Sequence, residues 1–414
     1  MRILMAQDRP CIRNYKIATV LAERGHEVHL AAFLPEQLPD LYGLDYAPYQ
    51  GVIQLLNIQE LLDVAAYFDV VHCHNEPDSM AAVMCASDTP SVHDCHDMMS
   101  IRGMGFDRIE EAIANMHSDG CVYVSDYQRN QAVESYPCRN PRPKSAVVNS
   151  AVLEKHLPQK RLKKLSSGTN EPHLVYEGGM NMHPHTHRYL LPVFKSLVEA
   201  GAWVHVYGLG HPAEIGKYIQ QIDNPRFVIH KPLDTPALME ALTQYDMGLC
   251  VFNITEGNRH HLESTLPNKL FEYLAAGLPV ICSNLQEMVQ FIKPRRCGLV
   301  WTGPEEIMEL WRTAVEVYRA RNVDPREYTM EKQIVGLEEL YFQLSAGAQR
   351  ALPIFESPTL DDWTYMAKYR SLQWEPPEGS KMIRRSVLGM TMSPRTAQLE
   401  AVVANGYFGP EGKK

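Results

Sequence analysis

The 414-residue chain lacks any apolar run near the ~20 residues needed to cross a bilayer, so no spanning helix is expected. It also lacks basic excess. Lys and Arg number 40 against 49 Asp and Glu, which gives a net charge of −9 and a pI near 6.0. No general affinity for polyanions follows, although a local basic groove stays open. The nine cysteines are odd in number, scattered through apolar segments and without tight C-x-x-C spacing. That pattern excludes a disulfide framework and reads as reduced, mostly buried thiols of a cytoplasmic protein, with a membrane-peripheral position left open. No internal period is visible, which excludes a repeat array. The first eight residues turn polar too early for a signal peptide and read as a strand. What is present is 45% hydrophobic and 21% charged residues, a composition that fits a globular chain of two ordinary domains and a smaller addition.

Along the chain, short apolar runs alternate with helical patterns. Strands are predicted at Arg2–Ala6, Glu27–Ala32, Val52–Leu56, Asp69–His74, Ser91–His96, Gly120–Ser125 and Ser145–Asn149, with the clearest helix at Tyr15–Arg24. Residues 153–172 break the rhythm with five basic residues and a Ser/Gly/Asn-rich stretch. The alternation then restarts at His173–Gly178, Trp203–Tyr207, Arg226–His230, Met247–Phe252, Pro279–Ser283 and Gly298–Trp301. The reading is an α/β protein with two doubly wound, Rossmann-like domains, at residues 1–155 and 173–345. A linker at 156–172 joins them, and a C-terminal extension, partly helical or irregular, follows at 346–414. In such sheets ligands bind beyond the carboxyl ends of strands, which draws attention to Asp8, to His74–Glu76, and to His96 with Asp97. The extension carries Pro353, Pro358, Pro376 and Pro377, four large aromatics, and a basic excess around Arg384 and Arg385 that suits a solvated tail or docking arm.

The most informative stretch runs from Leu266 to Ile281. Thr265 is a candidate N-cap, Pro267 suits a first helical turn, Gly277 a left-handed stop, and Pro279 blocks continuation. Leu270, Phe271, Leu274 and Ala275 should bury. Asn268 and Glu272 share another face, with Lys269 beside them. A helix N-terminus with an adjacent lysine suits a phosphate, and a glutamate one turn on can accept from neighbouring sugar hydroxyls. An ordinary surface helix fits the same signals, and both readings stand on this helix alone. The cluster His72, Cys73, His74, His93, Cys95 and His96 suggests a metal site if His72 and His74 converge with His93 and Cys95, but buried strand histidines and cysteines are common, so no metal is assigned. The run His183-Pro184-His185-Thr186-His187 reads as a loop bordering a pocket.

With these elements in place, the chain resembles GT-B glycosyltransferases, in particular the retaining, nucleotide-sugar-dependent enzymes of family 4. The resemblance covers roughly residues 1–345. It rests on Pro267 to Ile281, Val175 to Gly179, Asp69 to His74, His93-Asp94-Cys95-His96-Asp97, and Val147-Val148-Asn149. It implies two domains facing across a cleft and a UDP- or GDP-sugar as co-substrate, with no essential metal or other cofactor. Glu272 would meet the ribose hydroxyls, while Asn268, Lys269 and the helix start would meet the diphosphate. Gly178, Gly179, Tyr207 and Gly208 would line the same crevice with Leu266, and the segment from His230 through Lys231 to Leu233 would hold the base. His96 would stand near the transferred sugar, with Asp97 orienting it or touching a sugar hydroxyl and His93 as the fallback. Acceptor contacts would come from loops that carry Asp8, Arg13 and Arg102.

The sequence departs from the family at two places. Ser264 stands where a first glutamate belongs, with Glu263 adjacent, and the basic pair after the glycine turn is replaced by residues 180–187. Lys269, with Arg188 or Arg259, remains to balance a diphosphate. The leading expectation is therefore transfer of a sugar to an unidentified acceptor, a glycan, a lipid-linked sugar or, with less support, nucleic acid. The alternatives are a sugar-nucleotide epimerase and a GT-B-like binder without catalysis. The sequence leaves the oligomeric state undetermined.

Overall fold

The computed structural model describes residues 1–102, 108–136 and 143–346. Part of the predicted loop at residues 100–106, and the extension from residue 347 with its basic residues, lie outside the described residues. The chain divides into two compact units, Met1–Val148 with the chain from Ile334 onward, and Asn149–Gln333.

The first unit is built on seven parallel strands: β1 (Arg2–Gln7), β2 (Glu27–Ala32), β3 (Gly51–Gln54), β4 (Val70–His74), β5 (Ser91–Cys95), β6 (Gly120–Tyr123) and β7 (Lys144–Val147). Their order is β3-β2-β1-β4-β5-β6-β7, so the winding reverses between β1 and β4. β1, β4 and β5 are buried nearly throughout because helices cover both faces, and β4 and β5 bury His72, His74, His93 and Asp94 among their apolar residues. The predicted Tyr15–Arg24 helix spans Ile12–Glu23, and Gly25 at φ +87° turns the chain out of it. The last described helix, Met330–Ser345, returns its residues from Ile334 on to this unit. There Leu340 and Leu344 pack over Gly120, and Glu338 holds His26 at 2.8 Å and the Arg24 guanidinium.

The second unit holds β8 (His173–Gly179), β9 (Trp203–Leu209), β10 (Phe227–Ile229), β11 (Met247–Cys250), β12 (Val280–Cys282) and β13 (Gly298–Val300). These too are parallel, in the order β10-β9-β8-β11-β12-β13. Every predicted strand is present, within a few residues. The stretch after residue 153 lies on this unit: Leu162 N–H donates to Thr243 Oγ1 at 2.9 Å, and the Ser166 hydroxyl to Asp246 at 2.7 Å.

The helix predicted around residues 266–276 spans Asn268–Ala275, and Pro267, not Thr265, is its N-cap residue. Proline with φ −77° and ψ 157° has the extended geometry of that position, so the helix starts later than the Thr265 side chain suggested. Leu270, Phe271, Leu274 and Ala275 are all buried, as expected. Tyr273 is buried as well, because its hydroxyl accepts the Glu177 N–H at 2.9 Å and so ties the helix to the end of β8.

Three imidazoles cross this second sheet in file. His173 Nδ1 lies 2.9 Å from His205 Nε2, and His205 Nδ1 lies 3.0 Å from His230 Nε2. Trp203 stacks on His173 and Tyr207 on His230, with ring centroids 5.3 Å and 4.7 Å apart. Each link needs one N–H facing one lone pair, so the file accommodates at most one charged ring, and burial disfavours even that one. Burial lowers the pKa of all three, that of His205 to about 3.

An unfolded histidine titrates near 6.5, so above that pH both states are neutral and the stability of the file is complete. As pH falls below 6.5 toward 3 the unfolded chain alone takes up the protons, and stability is lost. His205 by itself should lower the unfolding free energy by about 2 kcal/mol between pH 7 and pH 5. Urea unfolding followed by fluorescence should show the midpoint moving down over that interval, and a midpoint independent of pH would refute the neutral file.

Candidate functional site

In the first unit the carboxyl ends of β1, β4 and β5 converge beside the reversal of winding. The parallel register sets His72 beside Val92 and His74 beside Asp94. Residues two apart share a sheet face, so His72 and His74 lie on the face of Asp94 and His96. His93 and Cys95 take the opposite face, where His93 Nε2 meets Asp78 at 2.9 Å. The convergence of His93 and Cys95 with His72 and His74 therefore does not form, because it needs residues of both faces on one side.

Asp94 is the centre of the group. Arg13 grips it twice, Nε to Oδ2 at 3.0 Å and Nη2 to Oδ1 at 3.1 Å, and His72 Nε2 stands 3.1 Å from Oδ2. His72 stacks on His74 at 4.4 Å and its Nδ1 meets the Tyr341 hydroxyl. Burial alone would raise the Asp94 carboxyl. The Arg13 guanidinium, followed by the neighbouring histidines, holds it well below the usual carboxylate range. Burial keeps His72 and His74 neutral and drives His96 down to about 3.

His96 follows β5 directly. Its backbone N–H donates to Asn75 Oδ1 at 2.8 Å, its carbonyl accepts from Gln128 Nε2 at 3.1 Å, and its Nε2 lies 2.9 Å from His74 Nδ1. Gln7 steadies the same edge, donating to the Asn75 carbonyl at 3.1 Å and accepting the Cys11 N–H at 3.1 Å. Asp97 follows His96 directly. Its carboxylate pairs with Arg102 at 3.1 Å, and Arg102 also binds Glu76. Arg13 is turned inward onto Asp94, away from any acceptor, because a carboxylate buried at 0% exposure needs a cation. Asp8 is partly buried beside Arg9, and burial raises its pKa. His72, His74 and Asp94 offer donor atoms within 4.8 Å of one another, close enough for a cation. The guanidinium of Arg13 already neutralises that carboxylate.

In the second unit the corresponding edge is the end of β8. Gly178 has φ +120°, open to glycine and rarely to other residues. A side chain there would meet Lys269 Nζ at 3.2 Å, and one on Gly179 would meet Arg188 Nη1 at 2.5 Å. The two glycines thus admit two cations to one turn. Lys269 Nζ sits 3.9 Å from the centre of the Tyr176 ring, and Arg188 Nε donates to His187 at 3.2 Å. Among the described residues, neither cation pairs with a carboxylate. Arg259 is bound to Glu263 at 3.0 Å.

The other predicted residues fall around the turn. Asn268 and Glu272 are half-buried on the helix that carries Lys269, Leu266 is buried, and Lys231 is exposed. Tyr207 is buried, with its hydroxyl 2.9 Å from that of Tyr245. Gly208 pairs with Gly178 across the ladder and packs under Met180. Glu263 is occupied structurally, for its carboxylate accepts the Gln286 N–H at 2.5 Å at the start of the helix Gln286–Arg295. The loop 183–187 is pinned by Asn253, which donates to the Thr186 carbonyl at 3.0 Å.

Gln7 and Gln128 were not singled out by sequence, His74 was grouped with His96 only as a metal-site reading, and Asn75 and Asp94 only as members of longer stretches. For Asp94 the signal was present. Alternation along β4 and β5, read with a parallel register, places four polar side chains on one face.

The two parallel sheets with this pair of strand-end sites define an α/β enzyme of the GT-B type, and comparison with known proteins agrees. Residues 13–149 match Glycosyltransferase Family 4, and residues 171–319 match Glycosyl transferases group 1. A glycosyltransferase from Rickettsia africae is similar with a TM-score of 0.62 at 13% identity, over 84% of this chain and 99% of that one. HepE from Anabaena, in complex with UDP, gives 0.59 at 14% over 83% and 100%. Sucrose-phosphate synthase from Thermosynechococcus elongatus gives 0.59 at 14% over 84% and 100%. No curated protein matches the chain in sequence. The chain belongs to the GT-B glycosyltransferases of the family 4 kind. No helix among the described residues is long and apolar enough to cross a membrane.

The inward position of Arg13 has a measurable consequence. Arg13→Met should cost about 3–5 kcal/mol of stability, because the Asp94 charge stays buried without its cation. Arg13→Met/Asp94→Leu should recover much of that loss in urea unfolding. A loss below about 1 kcal/mol in the single variant, the value of an exposed ion pair, would return Arg13 to an outward role.

Proposed function

We propose that the protein transfers a sugar, with retention, from a UDP- or GDP-sugar to an acceptor, and that it does so without an essential metal. The observation that carries this reading is the Gly178–Gly179 turn, with Lys269 and Arg188 against it and no carboxylate on either among the described residues. Departure of a nucleoside diphosphate builds negative charge on its phosphate oxygens. Two fixed cations beside the start of the helix Asn268–Ala275 suit that charge as it develops. They supply the compensation that a divalent ion gives elsewhere. Arg188 thereby takes the place of the basic residue the sequence lacks directly after the turn. Glu272, one helical turn beyond Asn268, is assigned to the ribose hydroxyls, where a carboxylate accepts two hydrogen bonds.

The reading is supported by HepE having been solved with UDP and with UDP-glucose, at 14% and 13% identity. His96 and its neighbours in the first unit are assigned to the sugar or its acceptor. The acceptor is taken to be a glycan or a lipid-linked sugar. Asp8, at the end of β1, and Arg102, on the short helix after β5, are candidates to touch it, and Asp97, paired with Arg102, belongs to the same patch.

The test is calorimetric titration with UDP, GDP and their sugars. One nucleotide series should bind, and Lys269→Ala, Arg188→Ala and Glu272→Gln should each weaken it by roughly tenfold or more, as for hydrogen bonds to charged groups, with unchanged melting temperatures. Slow release of free nucleotide without acceptor should accompany binding. Conversion of the sugar into its epimer would transfer the site to the epimerase reading. Absence of binding to every nucleotide would leave a GT-B-like binder.

A further inference from the structure

His74 is buried at 0% exposure and makes all its polar contacts through one ring nitrogen. Its Nδ1 lies 2.9 Å from His96 Nε2 and 3.4 Å from Asp94 Oδ2. Among the described residues its Nε2 has no hydrogen-bond partner. The two neutral tautomers are therefore unequal. A proton on Nε2 would bury an unpaired N–H and turn the Nδ1 lone pair toward a carboxylate, an arrangement unfavourable twice over. A proton on Nδ1 lets the N–H donate to His96 with the Asp94 carboxylate beside it, and leaves only a lone pair without a partner. The same polarity runs through the whole group. Arg13 donates to Asp94, His72 Nε2–H donates to Asp94, and the Tyr341 hydroxyl donates to His72 Nδ1.

This polarity determines His96. With His74 donating, His96 Nε2 must accept, so the neutral His96 ring carries its proton on Nδ1. The hydrogen-bond partner of that Nδ1 among the described residues is Cys11 Sγ at 4.0 Å, a weak one that a stronger acceptor can replace. Backbone bonds to Asn75 and Gln128 hold the residue on both sides, and its side chain keeps 17% of its surface exposed.

Building on the assignment of His96 to the sugar or its acceptor, we propose that His74 is a positioning residue: it locks His96 in the Nδ1–H tautomer, so that His96 meets the substrate as a hydrogen-bond donor and never as a proton acceptor. The group His96 serves is thus an oxygen with free lone pairs, such as a sugar hydroxyl or ring oxygen. No proton changes hands at His96. The deep burial that keeps its ring uncharged removes the imidazolium form as well.

The experiment is long-range 1H–15N correlation on the full chain labelled with 15N-histidine, with the His96 signals assigned by their absence in His96→Gln. The expected pattern at pH 7 is a protonated Nδ1 and a bare Nε2 for His96, unchanged down to pH 5. In His74→Phe the pattern should reverse or average. In His74→Gln, whose amide can donate to the same nitrogen, it should persist. For turnover, His74→Phe should lower kcat on the order of 100-fold, the scale of a misplaced group, with KM for the nucleotide sugar within about twofold, and His74→Gln should restore most of it. A His96 protonated on Nε2 in the native chain, or one indifferent to His74→Phe, would overturn the proposal. If no nucleotide sugar is turned over, the sugar-transfer reading fails on its own, and the tautomer spectrum still decides the role of His74.

Discussion

Both halves of the chain rest on parallel pairing of a central strand with two neighbours, β1 between β2 and β4, and β8 between β9 and β11. A strand held in parallel on both sides must be entered and left through crossover helices. All carboxyl ends then emerge at one edge, and at the reversal of winding a crevice opens there. The main chain at that edge has left its ladder, so side chains must satisfy it. In the first unit Gln7, Asn75 and Gln128 do so, and by fixing the chain around residue 96 they fix an imidazole. In the second unit glycine leaves the edge open, and two cations enter from Lys269 and Arg188.

The two edges treat charge in opposite ways. At its strand-end edge the first unit buries the Asp94 carboxylate and matches it with one guanidinium, a pairing whose Coulombic gain has to offset the desolvation of both ions. With that charge balanced, the three histidines around it are held neutral, and what remains is the direction of each N–H. The second unit leaves its two cations without carboxylate partners at a helix start. Two cations beside a helix start attract an anion more strongly than the overall charge of −9 would suggest. Net charge described the whole surface and was silent about this turn.

The fold was legible almost completely. Thirteen short runs bounded by turn residues became thirteen strands among the described residues, because most buried parallel strands read as near-continuous apolar runs, β4 and β5 with their histidines and Asp94 being the exception. The start of the helix at Asn268 was displaced from Thr265 because proline can hold the cap geometry unaided. The site was legible in part. Glycines 178 and 179, Lys269 and His96 announced themselves by type and spacing. Arg188 stands nine residues beyond Gly179, and the Asn181 N–H on its carbonyl at 3.1 Å, with the pinning of the intervening loop by Asn253, returns it to the turn. No local pattern encodes that. The inward turn of Arg13 was hidden for a related reason: its partner is 81 residues away, and an arginine in a first helical turn looks the same whether it faces solvent or a buried carboxylate.

The departures from the family pattern form one consistent substitution. With Ser264 in place of a glutamate, its hydroxyl turns back to the His261 carbonyl at 3.1 Å, and that position contributes no charge. Glu263 has moved into the framework, where it caps one helix and pairs with Arg259 of another, so Arg259 is withdrawn from a ligand together with it. One acid and one base are thus removed from the edge as a neutral pair. Arg188, arriving from the pinned loop, keeps the cation count at the glycine turn at two. In the proposed reading the electrostatics a leaving diphosphate requires are therefore preserved with different residues, and the carboxylate contacts to the rest of the nucleotide sugar are assigned to Glu272. Discrimination among sugars in this protein should then depend less on carboxylates than on hydrogen-bond donors of fixed direction, and His96, with its proton held on one nitrogen, is such a donor.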